Sequence, residues 1–147
     1  MKWSRGLVLL GAFAVLIGIS GCAAVPSIGV TDQRKPGVPE GVDIVPFMEG
    51  PAVVAYDDGS IDVVTWGSGS CPAEAASAEK DGVEFVVVFT TNSEGVCTAD
   101  MAPTTHTFSA ESVGSRVPET ATVRFQEYDD EIVVDVIRAE ERGGISP

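Results

Sequence analysis

The sequence predicts an all-β fold: a small antiparallel β-sandwich, with the immunoglobulin-like arrangement as one candidate form, closed by one disulfide. Three observations predict it. All four leucines precede residue 22, whereas 20 valines lie in the 126 residues from Cys22 onward. Valine branches at Cβ, which makes its first side-chain torsion stiff and suits the pleated surface better than a helix. From Ala52 to Arg138, short apolar runs alternate with turn signals at the spacing of hairpins. Two cysteines, Cys71 and Cys97, stand far apart inside that same stretch.

The elements follow in chain order. Ala52 to Tyr56 and Ile61 to Trp66 flank Asp57-Asp58-Gly59-Ser60, whose residues favour a reversal, so they predict a first hairpin. Glu74 to Lys80 and Val83 to Thr90 flank Asp81-Gly82 and predict a second, although the Ala- and Glu-rich first arm also suits a helical turn. In the second arm Val83, Phe85, Val87 and Phe89 share one face and are expected to point into the core. Glu84, Val86, Val88 and Thr90 occupy the other, which is apolar enough to mark a central strand. Thr104 to Phe108 predicts a further strand. Ala121 to Tyr128 and Glu131 to Arg138 predict a third hairpin across Asp129-Asp130, with Val123, Phe125, Ile132, Val134 and Val136 inward. Seven strands over about 90 residues suit a small sandwich.

The N-terminal segment has a different character. Lys2 and Arg5 form a cationic head, and Gly6 to Ile19 follows without a charge. As a helix these residues would span roughly 21 Å, short of a hydrocarbon core of roughly 30 Å, so the segment reads as an export signal rather than a permanent span. Ile19-Ser20-Gly21-Cys22 then resembles the lipobox of bacterial lipoproteins, an aliphatic residue and two small residues before a cysteine. The resemblance covers residues 1 to 22. It implies that residues 1 to 21 are removed, that Cys22 becomes the first residue, and that its thiol carries a diacylglycerol, with fatty acyl chains such as palmitate holding the protein to a membrane. The competing reading is an ordinary secretory signal cut near Ala23-Ala24.

Five of the nine prolines fall between residues 26 and 51. Proline fixes a backbone torsion and lacks a donor, so residues 22 to 50 are expected to form the attachment site and a Pro/Gly-rich tether, followed by the domain at 51 to 139 and a tail at 140 to 147. Val42 to Met48 are apolar enough to dock on the domain. With Cys22 assigned to lipid, Cys71 and Cys97 remain as an even pair in an exported chain, which predicts a disulfide. A zinc site would lack ligands, since the only histidine is His106.

Charge excludes whole classes of partner. The chain carries 9 Lys+Arg against 22 Asp+Glu, a formal charge of −13. Loss of Lys2 and Arg5 with the signal makes it −15. Nucleic acid is therefore not expected as a partner, because binding its phosphates requires a basic face. Lipid on Cys22 is the expected link to the membrane, on its extracytoplasmic side.

Chemistry-bearing residues are sparse. Ser68 and Ser70 are flanked by Gly67 and Gly69, but Trp66-Gly67-Ser68-Gly69-Ser70 does not fit Gly-x-Ser-x-Gly, and a serine nucleophile needs a base that only His106 could supply. Asp57-Asp58 and Asp129-Asp130, with Glu131, would form a calcium site only if their hairpins converged. No catalytic residue, metal ligand or cofactor is expected. Trp66, at a strand end beside the Gly-Ser loop and Cys71, is the candidate binding residue, either covering the disulfide or flooring a recognition surface. Trp66 to Pro72 and Cys97 to Thr105 are similar to a small β-domain in exported, lipid-anchored proteins of high-GC Gram-positive (actinobacterial) bacteria, a resemblance that carries no catalytic residue with it. The expected function is a non-enzymatic, lipid-anchored cell-envelope module that binds an envelope protein or polymer. Its alternatives are an acidic structural lipoprotein without a specific partner, then a solute-binding component or enzyme, for which a domain of this size offers little pocket volume.

Overall fold

Seven of the strands follow from the valine-rich body, and the chain on either side of it adds three more. The computed structural model describes residues 33–44, 50–91, 94–114, 116–143 and 145–146. The strands are β1 (Gln33–Pro36), β2 (Val38–Pro39), β3 (Ala52–Tyr56), β4 (Ile61–Gly67), β5 (Glu74–Asp81), β6 (Glu84–Thr90), β7 (Ala102–Phe108), β8 (Thr120–Phe125), β9 (Glu131–Ala139) and β10 (Ile145–Ser146), with one helical turn, α1 (Ala110–Val113). The expected all-β fold with a Cys71–Cys97 disulfide is present.

The sheet differs in detail from an all-antiparallel sandwich. Eight strands form one sheet in the order β1-β7-β4-β3-β9-β8-β6-β5, and β10 pairs separately with β2. β3 pairs with β9 in parallel, and so does β6 with β8. The three expected hairpins are all present, but they join one another through these parallel contacts. β9 carries the sheet around a curve: Glu131 to Asp135 pair with β8, and Val136 to Ala139 pair with β3. Curling brings β6 against β7, which lie far apart in the strand order. The Phe85 and Phe108 rings meet edge-on at 5.5 Å, and Phe89 meets His106 at 4.7 Å.

One core fills the concave side. Val53, Ala55, Ile61, Val63, Phe85, Val87, Phe89, Phe108, Ala121 and Val123 are buried there, at the two-residue period of strands. β5 keeps contact through a bulge between Ala75 and Ser77, which turns both Ala75 and Ala78 inward although they stand three apart. Its helical alternative is not realised. Val83 departs from expectation. Asp81 pairs with Glu84, so the reversal is Gly82-Val83, one residue later than expected, with Gly82 at φ 60° and Val83 51% exposed. Glycine reaches that torsion without the clash a Cβ would make.

The tether and tail expectations are corrected at their inner ends. Gln33 to Pro36 extend the sheet beside β7, and Ile145-Ser146 pair with Val38-Pro39. Proline closes both short N-terminal strands, which fits its preference for sheet edges. Asp43 and Ile44 line a surface cavity with Val133 and Ile137, and residues 45–48 of the 42–48 segment lie outside the described residues. The signal, Cys22, the first part of the tether and residues 45–49 lie outside the described residues.

The convex face of β3, β4 and β7 buries polar Tyr56, Asp62 and Thr105 beside apolar Val54 and Val64. Asp62 accepts from Tyr56 Oη at 2.9 Å and from Thr107 Oγ1 at 2.7 Å, and Arg142 closes over it. Burial first, then Asp62, raises the Tyr56 phenol well above its ordinary range, so it stays protonated as the donor.

Candidate functional site

Pairing register sorts the loops between two ends of the sheet. β4 runs antiparallel to β3, and β9 parallel to it. The last residues of β4 and β8, the start of β7 and the 126–130 turn therefore share one end. The 57–60 turn lies at the other. Asp57-Asp58 and Asp129-Asp130 are thus at opposite ends, so the convergence that a calcium site required does not occur. Among the described residues no three His, Cys, Asp or Glu side chains gather to hold a metal ion. Each cluster instead has a local role. Asp58 accepts from the Ser60 hydroxyl and, at 2.8 Å, from its N–H, and the hydroxyl bond followed by the N–H holds its carboxyl below the usual range. Glu131 pairs with Arg124.

The two candidate serines bond with one another and with Thr98. Ser68 Oγ lies 3.0 Å from Thr98 Oγ1 and 3.2 Å from Ser70 Oγ, and Ser70 Oγ accepts from Thr98 N–H at 2.9 Å. These hydroxyls knit the 68–71 loop to the 97–100 segment, beside the disulfide whose Cα atoms stand 5.5 Å apart. His106 is on β7 with no exposed surface, between Phe89 and Thr65, and its Nε2 lies 3.1 Å from Thr65 Oγ1. Burial, then the charge of Arg34, holds the imidazole down at about 4. It shares its face with buried Thr104 and Phe108, as the strand period predicts.

Trp66 is where loops, disulfide and aromatics meet. It sits half-buried near the end of β4, paired with Pro103 of β7. On one side, a cleft of about 410 Å³ is lined by Trp66, Ser68, Cys71, Thr91, Phe125 and Tyr128 among others. On the other, a smaller cleft of about 220 Å³ lies between Trp66, Pro51, Met101 and Ile132. Phe125 belongs to both and stacks on Phe89 at 5.7 Å, which anchors the wall to the core. Tyr128 is 61% exposed. Trp66 thus borders the same open cleft as Cys71 and Cys97.

Loops at this end of the sheet border an open cleft of about 410 Å³ beside the core. Two carboxylates bond to backbone donors of segments at this cleft. Asp100 Oδ1 accepts from Gly69 N–H at 3.1 Å, and Glu127 Oε1 accepts from Thr91 N–H at 2.8 Å. The Thr98 hydroxyl, then Gly69 N–H, lowers the Asp100 carboxyl, so it is ionised at neutral pH. Sequence reasoning missed Tyr128, Phe125 and both carboxylates as site residues, because nothing local links residues 66, 100 and 127. The signal was present only in Tyr128, a large aromatic next to a turn of acids.

Comparison with protein-family models, with curated proteins and with solved structures finds no match, so the functional reading rests on the residues of this chain.

Proposed function

We propose that this chain is an exported, lipid-anchored cell-envelope protein whose β-domain is a non-catalytic binding module, with the Trp66–Phe125–Tyr128 cleft as its recognition surface. One observation carries the reading. Gln33, the first described residue, pairs with Thr107, whereas the cleft lies beyond Ala102 at the opposite end of β7. Five residues of strand separate those levels by roughly 17 Å. A domain attached through its N-terminal side therefore turns the cleft away from its point of attachment. The attachment itself rests on the Ile19-Ser20-Gly21-Cys22 pattern. Two acyl chains hold a soluble domain stably, at about 0.8 kcal/mol per buried methylene, while a formal charge of −15 discourages contact with anionic head groups.

Catalysis is set aside on the geometry of the groups present. The Ser68 and Ser70 hydroxyls bond with Thr98, and His106 is enclosed in the core. The test has two arms. Mass analysis of the mature N-terminus should find Cys22 first and acylated, and an unmodified cysteine removes the anchor. Photo-crosslinking from position 128 in native membranes should trap a discrete partner. Its absence under several growth conditions, with unchanged behaviour after Trp66→Ala, would favour an acidic structural lipoprotein instead.

A further inference from the structure

We propose that the Trp66–Tyr128 cleft receives a cationic side chain, lysine or arginine, presented by a basic segment of another protein. The inference rests on the binding-module reading and deepens it.

Charge complementarity selects this occupant. The faces of Trp and Tyr rings carry negative potential and attract ammonium and guanidinium groups. Here Trp66 and Tyr128 border the cleft from two different segments, and Phe125 joins them. Two carboxylates are bonded to the segments that line the cleft, Asp100 accepting from Gly69 N–H next to Ser68 and Glu127 accepting from Thr91 N–H. Both bonds run to backbone donors, which ties each acid to its segment. No Lys, Arg or His stands among the described residues lining this cleft or its neighbour. Acidic charge alone would attract any cation weakly. Aromatic walls add a preference for cations that arrive partly desolvated, which a side chain on a peptide does. The smaller cleft, on the other side of Trp66 and Phe125, is lined by Met101, Pro51 and Ile132 and offers apolar room for a neighbouring residue of such a segment.

The experiment titrates the full lipidated chain in nanodiscs of zwitterionic lipid. Ligands are a tetralysine peptide, a tetra-arginine peptide, the Nε-acetylated tetralysine peptide and a neutral chitin tetrasaccharide. The cationic peptides should bind and the acetylated one should not. Tyr128→Ala, at an exposed turn, should weaken binding by about tenfold, the size expected from losing a cation–π contact. Asp100→Asn with Glu127→Gln should weaken it comparably, whereas Asp57→Asn with Asp58→Asn, the same charge change at the opposite end, should alter it less than about twofold, as expected where only screened long-range attraction is lost. Circular dichroism verifies that each variant is folded.

Equal loss in the two double variants would mean diffuse attraction and overturn the proposal. So would equal binding of the acetylated peptide, or no binding of either cationic peptide. A crosslinked partner that meets Tyr128 through a neutral surface, or binding of the tetrasaccharide alone, overturns the cation assignment and leaves the binding module standing. A partner that touches only other faces of the domain removes both.

Discussion

The guanidinium of Arg142 stands 3.2 Å from the carboxylate of Asp62, a residue with no exposed surface. Eighty residues apart in sequence, they join the C-terminal segment to the middle of the sheet. The same guanidinium donates to Ser60 Oγ at 2.7 Å and lies 4.8 Å from the centre of the Tyr56 ring. Two hydroxyls, from Tyr56 and Thr107, complete the shell around Asp62. A buried carboxylate is tolerable because every partner is in place.

Removing one member should therefore cost more than the pair contributes. Arg142→Ala leaves the carboxylate uncompensated and should lower unfolding stability by about 3 kcal/mol, near the lower end for broken buried pairs because the arginine reaches solvent. Adding Asp62→Asn to Arg142→Ala should recover part of that loss. Urea unfolding of the two single variants and the double variant supplies the cycle. Additive losses would mean that the contact carries no coupling.

Gly143 tests the same strap from its backbone. A Cβ there would stand 2.7 Å from the carbonyl oxygen of Glu40, closer than real Cβ atoms approach. Gly143→Ala should push the C-terminal segment away from residue 40 and loosen the β2–β10 pairing. The stability loss should be about 1 to 2 kcal/mol. Faster amide exchange at Val38, with unchanged exchange at core-strand residues such as Val87 and Phe89, would locate the effect.

How much of this was legible in the sequence depends on range. The β3–β4, β5–β6 and β8–β9 hairpins were readable because alternating side chains and turn residues lie within one short window. Cys71–Cys97 was readable by counting. The parallel β3–β9 and β6–β8 pairings were not, since an inward-facing Val53 is compatible with any neighbour that also presents an apolar face. Nor was Asp62. Its place between Ile61 and Val63 reads as an ordinary solvent-facing position until Arg142 covers it. β1 and β10 are too short to show a strand pattern in the sequence, and they pair with β7 and β2. The cleft was half legible: Trp66 stood out, but its partners come from residues 125 to 128, on a strand that joins β4 in one sheet only through the β8–β9 and β3–β9 pairings.

His106 predicts a pH dependence. Folding lowers its pKa from the ordinary 6.5 to about 4, mainly through burial. The unfolded chain therefore binds the proton more readily than the folded one. Its contribution to stability is complete above about pH 6.5 and is lost as pH falls toward about 4, with a total on the order of 3 kcal/mol. Melting temperature should drop across that window. In His106→Gln, which is neutral throughout, the slope across the same window should flatten, even if the variant is less stable overall. Identical slopes in the two proteins would assign the loss to carboxylates.

Reduction of Cys71–Cys97 should separate stability from recognition. The bridge closes a separation of 26 residues, and restricting the unfolded chain to that extent stabilises the fold by roughly 3 to 4 kcal/mol on the chain-entropy estimate. Cys71→Ser with Cys97→Ser should accordingly melt lower. The core strands do not depend on the bridge, because Phe85 packs on Phe108 and Phe89 on His106 within a cluster that includes neither cysteine. The loops that carry the cleft do depend on it, since exposed hydroxyl contacts of Ser68, Ser70 and Thr98 and the Asp100–Gly69 N–H bond are what join them once it is gone. Below its melting point the variant should retain its β-sheet circular dichroism while the Trp66 emission shifts to the red and ligand affinity falls. Retention of both native emission and affinity would show that the hydrogen bonds alone hold the cleft in shape.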